Sequence, residues 1–249
     1  MTPPGRPEGF SGAGPFAAVL FDFDGTLIDT TDLIFQSYQH ALQAEIGVRA
    51  RPEELFAGYG RPLPVSFRAI LGERGDLPAG AVSDDLIERL TRAYRTFNQE
   101  HHDRLTRPFP GVREMLEALR ASEVPLGLVT SKMRAMALRG LNLIAIADYF
   151  DTLVFMEDST RHKPSPDPLW LALDRLGLRS RAGDVVYVGD SIHDVAAGQA
   201  ADLQTGAALW GPFPEDMLRR LAPTYLLATP GELVSLATHG SVPRGPRSD

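Results

Sequence analysis

The apolar run Ala17-Ala18-Val19-Leu20-Phe21, closed by Asp22-Phe23-Asp24-Gly25-Thr26, constrains this chain more than any other stretch. An unbroken apolar run of this length reads as a strand buried on both faces, the kind found in parallel sheets. Carboxylates at the carboxyl end of such a strand are costly unless a cation or hydrogen bonds compensate them. Side chains alternate along a strand, so Asp22 and Asp24 would start out on one side. Gly25 lets the backbone turn where a side chain would obstruct. The cost points to a magnesium site, because Mg2+ takes oxygen ligands and works alongside substrate phosphates. The plainer alternative is an Asp-Gly turn that merely ends a strand. An EF-hand does not fit, since the loop that begins at Asp22 lacks the acidic pattern and the closing Glu.

The rest of the chain alternates apolar runs with amphipathic stretches. Thr31 or Asp32 would cap a helix carrying Leu33, Ile34, Tyr38, Ala41, Leu42 and Ile46, with Gly47 as its stop. Pro52 would begin a short helix through Phe56, and Gly58-Tyr59-Gly60-Arg61-Pro62-Leu63 reads as a loop. Helices are expected over 65–71 and from Ser83 or Asp84 to about His102. Residues 31–103 therefore read as an all-helical block with no alternating strand pattern. An α/β rhythm then returns, with helices over 111–123, 133–141, 167–177 and 195–201. Strands are expected over 125–131, 152–156, 184–188, 205–210 and 224–227. Strands alternating with helices predict an α/β parallel sheet covered on both faces. The expected domains are a core over 16–30 and 104–239 and a helical insertion over 31–103. The Pro/Gly-rich segment 1–15 and the tail 240–249 are expected to be disordered.

Composition narrows the function classes. A net charge of −7 argues against a nucleic-acid partner. With no cysteine there is no disulfide, thiolate metal site or cysteine nucleophile, which suits a cytoplasmic protein. No apolar segment is long enough to span a membrane. Of 25 basic residues only Lys132 and Lys163 are lysines. Their positions are informative, because a lysine is a compact charge that arginine does not replace where geometry matters.

Polar clusters follow several of the expected strands: Asp22/Asp24, Thr130/Ser131, Glu157/Asp158 leading to Lys163, and Asp190/Asp194. In an open α/β sheet, ligands bind beyond the carboxyl ends of strands, so these clusters can converge. Each also has a plainer reading. Thr130, Ser131 and Asp190 could be helix caps, and Lys163 a solvated loop lysine. Lys132 could simply be exposed. Adjacent histidines such as His101 and His102 diverge by roughly 100° on a helix, which favours hinge or cap packing over a shared ion.

The ordered set FDFDGTLIDT, VTSK, HKPSPDP and VGDSIHD resembles the four motifs of the haloacid dehalogenase-like phosphohydrolases. The resemblance covers residues 16–236, and the insertion resembles the helical cap of the phosphoglycolate phosphatase branch. YRTFNQEHHD (94–103) and AAGQAADLQTGAALWG (196–211) look closest to the inorganic pyrophosphatases of that branch. The resemblance implies a Rossmann-like core with an inserted cap. It also implies hydrolysis of a small-molecule phosphate substrate, such as pyrophosphate or 2-phosphoglycolate, by a monomer or small homo-oligomer. Asp22 would be the nucleophile, and Asp24 the acid and then the base. Mg2+ would sit between Asp22, the main-chain carbonyl of Asp24, and Asp190. Thr130, Ser131 and Gly25 would hold phosphoryl oxygens, Lys163 would pair with Asp22, and Asp194 would support them. Arg61, in the cap loop, would meet a carboxylate or a distal phosphate. The family usually has Gly where this chain has Asp202, which bears on a local turn.

A dehalogenase would not need Asp24, and a phosphonatase needs a cap lysine that residues 31–103 lack. A sugar-phosphate mutase and a non-catalytic phosphate-binding relative stay open. A receiver domain would need no cap.

Overall fold

The sheet that organises the molecule is built on the run 17–21. The computed structural model describes residues 16–51, 53–54, 61–72 and 82–239. Its strands are β1 (Ala18–Phe21), β2 (Ile28–Asp29), β3 (Arg107–Pro108), β4 (Leu126–Val129), β5 (Thr152–Val154), β6 (Val185–Gly189), β7 (Gln204–Ala208) and β8 (Tyr225–Leu227). The main sheet runs β5-β4-β1-β6-β7-β8, and every neighbouring pair in it is parallel. The chain moves outward from β1 to β4 and β5, then returns to β6 on the other side of β1. That reversal makes the carboxyl end of β1 the switch point at which open α/β sheets bind ligands.

Alternation along the central strands explains the two cores. Val19 and Phe21 join Leu126, Leu128, Val186 and Val188 on one face, while Ala18 and Leu20 join Val129, Val185 and Tyr187 on the other. The first face is covered by the helix Val112–Ala121, whose Val112, Met115, Leu116 and Leu119 recur at helical spacing and are buried. A further helix, Pro230–His239, adds Leu233 and Leu236 to that face. Leu169, Ala172 and Leu173 of the helix Asp167–Leu176 cover the second. Removing an apolar side chain of this size from water contributes about 1.5–3 kcal/mol, so alternation commits each strand to one register.

The cap is helical, as expected, with helices Thr31–Ile46, Leu63–Gly72 and Asp84–Leu105. Tyr38, Phe67 and Tyr94 fill its centre edge to face, with ring centroids 4.8 Å apart for the two tyrosines and 5.1 Å for Tyr38 and Phe67. Ser83 caps the long helix by accepting the Leu86 N–H at 3.2 Å, and Gly47 ends the first one in the left-handed region. The expected cap at Thr31 or Asp32 is corrected: the Asp29 carboxylate takes the Thr31 N–H at 3.0 Å. Strands β2 and β3 also went unforeseen. They pair antiparallel, Ile28 with Pro108 and Asp29 with Arg107, where the chain enters and leaves the cap. Strands this short carry no periodicity to read. Pro52, Leu55, Phe56, Gly58, Tyr59, Gly60 and both terminal segments lie outside the described residues. Asp202 does stand in the left-handed region, at φ 61°, where a glycine would be unstrained.

Candidate active site

The end of β1 is held in line by its neighbour: the Asp22 N–H donates to the Val188 carbonyl at 2.9 Å. The Asp22 carboxylate meets the Lys163 ammonium at 2.8 Å. Lys163 comes from the loop after β5 and is 4% exposed, so it is no solvated loop lysine. Its Nζ also donates to Asp194 Oδ1 at 2.6 Å and to the Tyr187 hydroxyl at 2.9 Å. Tyr187, from the middle of β6, donates in turn to Asp194 Oδ1 at 2.8 Å. The other oxygen of Asp194 accepts from the N–H and the hydroxyl of Ser191. Asp194 is thereby occupied by protein donors on both oxygens and braces Lys163.

Asp190 differs. Thr26 donates to its Oδ1 at 3.0 Å, while Oδ2 is buried without a hydrogen-bond partner. It is not a helix cap either, because Ser191 caps Ile192–Ala200 by accepting the Asp194 N–H. Glycines make the room: a Cβ on Gly25 would fall 2.4 Å from Asp190 Oδ2, and one on Gly211 2.3 Å from Asp190 Cβ. The Gly25 N–H is given to the Ile28 carbonyl at 2.9 Å, so in this conformation Gly25 supplies space rather than a donor.

The ligand oxygens of Asp22, Asp190 and Asp194 lie within 4.8 Å of one another. Burial, and then the Asp194 charge, push the Asp22 carboxyl up to about 7 despite Lys163. Burial and the charges of Asp194 and Asp22 hold Asp190 well above the usual carboxylate range. Burial opposes the charged form of Asp194, but Lys163 overcomes it and holds that carboxyl low. A lone ammonium faces these carboxylates, and an acceptor is left unpartnered. Hard-oxygen donors with a charge deficit of this sign suit a divalent cation, and Asp22 and Asp190 are the members free to hold one.

Asp24 sits at the cavity wall beside them. Its Oδ1 accepts from Thr30 Oγ1 at 2.8 Å and from Lys132 Nζ at 2.6 Å, and neither bond uses Oδ2. Exposure was the plainer reading of Lys132, and the structure does not follow it. Its side chain is 11% exposed and ion-paired, because the loop after β4 turns it over Phe23 toward Asp24. Thr130 and Ser131 stand past the end of β4 and line the same cavity. They are not caps, since Arg134–Leu143 begins at Met133 with no side-chain cap. The Thr130 hydroxyl accepts the Lys132 N–H at 3.1 Å, which aims that lysine.

The cavity has a volume of about 370 Å3 and lies between core and cap, with Tyr38, Tyr94 and Asn98 on the cap side. Arg61 lines it too, and its Nε donates to His193 Nε2 at 3.1 Å. Burial and the Arg61 charge lower His193 to about 4, so its imidazole is neutral. His101 and His102 do not enter the site. His101 packs edge-on against Phe97, and His102 pairs with Asp103, which Arg139 also holds at 2.9 Å.

Thus Asp22, Asp24, Lys163, Asp190, Thr130, Ser131 and Arg61 all line one cavity, with Asp194 directly behind. Lys132, His193, Tyr187 and Thr26 were missed as contributors. Only Lys132 left a signal, as one of two lysines in an arginine-rich chain.

Comparison with known proteins bears on the family. The family model for haloacid dehalogenase-like hydrolases matches residues 19–208. Pyrophosphatase PpaX of Bacillus velezensis is 36% identical over 219 residues, covering 88% of this chain and 95% of the relative. Pyrophosphatase PpaX of Halalkalibacterium halodurans is 32% identical over 218 residues, covering 88% and 95%. Among solved structures, a haloacid dehalogenase-like family hydrolase from Streptococcus pneumoniae superposes with a TM-score of 0.73 at 25% identity, covering 89% of this chain and 98% of that one. A predicted phosphoglycolate phosphatase from Haemophilus somnus gives a TM-score of 0.80 at 21% identity, covering 89% and 98%, and so shares the fold.

Proposed function

Since this chain belongs to the haloacid dehalogenase-like hydrolase family and is an enzyme of the phosphatase kind, we propose that it is a Mg2+-dependent phosphohydrolase that carries the phosphoryl group on Asp22. Small phosphate compounds are its substrates, with inorganic pyrophosphate foremost, because the relatives above bear the name pyrophosphatase. One observation supports this most: Asp22 and Asp194 share the buried Lys163 ammonium while Asp190 beside them keeps an unpartnered buried oxygen.

Asp22, Asp190 and the main-chain carbonyl of Asp24 would hold Mg2+, which when bound neutralises charge between an anionic nucleophile and an anionic phosphate. Thr130 and Ser131 orient the phosphoryl oxygens. An Asp22 carboxylate oxygen attacks phosphorus, the bond to the leaving oxygen breaks, and Asp24 gives that oxygen its proton. Asp24, now ionised, takes a proton from water as the water attacks the acyl phosphate, releasing phosphate and restoring Asp22. Lys163 offsets the charge on Asp22 and on the phosphoryl group, and Asp194 and Tyr187 keep its ammonium in place. Lys132 and Thr30 anchor one oxygen of Asp24, which leaves Oδ2 to exchange the proton.

The test is phosphate release from pyrophosphate, 2-phosphoglycolate and a sugar phosphate, with Mg2+ and after chelation. Asp22→Asn keeps the shape and should lose turnover; wild-type turnover in that variant would refute the mechanism. Interconversion of the sugar phosphate without net phosphate release would favour a mutase instead.

A further inference from the structure

The contact between Arg61 and His193 ties the cap to the catalytic segment. The partners are 132 residues apart in the chain. His193 lies in the first turn of the helix Ile192–Ala200, within the short segment that also carries Asp190 and Asp194. It is 4% exposed and stands behind Arg61, which alone of the two lines the cavity. A guanidinium only donates, so His193 Nε2 is the acceptor and the ring is the neutral tautomer with its proton on Nδ1. Spending Nε–H on the histidine leaves the two terminal amino groups of the fork. Among the described residues the fork has no carboxylate partner, although it shares a cavity with Asp22, Asp24 and Asp190.

We propose that His193 is a positioning residue that fixes Arg61 through Nε so that its fork receives a second anionic group of the substrate. The selected class is then a small phosphate compound carrying another phosphate or a carboxylate a short distance from the reacting phosphorus. The fork is thereby anchored to the segment 190–194, beside the reacting end at Asp22, rather than to the cap alone. An arginine left unanchored would sample many rotamers, and holding it in place removes that entropy from the binding step. This inference rests on the phosphohydrolase reading for the identity of the reacting end.

The test uses inert analogues and reads binding. Calorimetry with Mg2+ present compares methylenediphosphonate and phosphonoacetate with methylphosphonate, which lacks the second anionic group. Wild type should prefer the first two. Arg61→Ala and His193→Ala should each cut that preference roughly tenfold, as expected for a hydrogen bond to a charged group. The double variant should lose no more than either single one, since the histidine acts only through the arginine. His193→Gln, which keeps an acceptor at the same reach, should regain part of the loss. Thermal melts of each variant show that it folds. Undiminished preference in His193→Ala, or losses that multiply in the double variant, would overturn the proposal. Retained preference for methylenediphosphonate but not phosphonoacetate would narrow the class to diphosphates. Absence of phosphate release from every substrate would defeat the hydrolase reading and leave these binding results standing.

Discussion

Asp190→Asn should stabilise the metal-free protein while abolishing its response to Mg2+. The Asp190 carboxylate is 1% exposed, with Thr26 as its side-chain donor and one oxygen unpartnered. Its oxygens lie within 4.8 Å of those of Asp22 and Asp194. At an effective dielectric near 20, unit charges that far apart repel by about 3.5 kcal/mol. Lys163 cancels roughly one of the two repulsions, because it sits on Asp22 and Asp194 and makes no bond to Asp190. About one repulsion therefore remains, and the amide relieves it. Weakening the bond from Thr26 gives back about 1 kcal/mol, for a net gain of about 2.5 kcal/mol. For a protein of this size that is a rise in Tm of about 5–10 °C. The assay is thermal unfolding at about pH 8, after chelation and then with Mg2+ at hundredfold excess over its Kd. There wild type should gain about 2.7 kcal/mol and the variant almost nothing. A variant less stable than wild type without metal, or one that still gains the full Mg2+ shift, would refute the reasoning that Asp190 is an uncompensated charge waiting for a cation.

Further outcomes follow from the same geometry. Lys132→Met should lower kcat by about a hundredfold by releasing Asp24, the lower end of what proton transfer contributes; unchanged kcat in steady-state phosphate release would remove Lys132 from the site. Gly25→Ala puts a methyl 2.4 Å from Asp190 Oδ2 at a backbone φ of +84°. It should cost about 1–3 kcal/mol and weaken the Mg2+-induced rise in Tm, and an unaltered rise would contradict the close approach. The metal-free protein should also lose stability with rising pH relative to Asp22→Asn. Folding raises the Asp22 pKa from 3.8 to about 7, so the folded state binds that proton more tightly. Its stabilising contribution is complete below about pH 4 and is lost as pH climbs to about 7. Melts of the two proteins across that window should diverge without Mg2+; parallel curves would count against it.

The local chemistry was legible in the residues themselves. Apolar runs ending in Asp22, Thr130 and Asp190 announce buried strands whose ends carry polar groups, and Lys163 stands out in a chain with two lysines. The helical insertion was equally readable, from caps and 3.6-residue spacing. What tertiary structure alone decided is which polar group meets which. Lys132 reaches Asp24 across 108 residues and Arg61 reaches His193 across 132. Tyr187 looked like one more apolar strand residue, and only the β1–β6 register and the seat of the following helix turn its hydroxyl onto Lys163 and Asp194. Periodicity is a property of neighbours along the chain, whereas the partner of a buried charge is chosen by strand order and cap docking. Sequence therefore determined the donors and acceptors, and the packed sheet and cap determined their pairs.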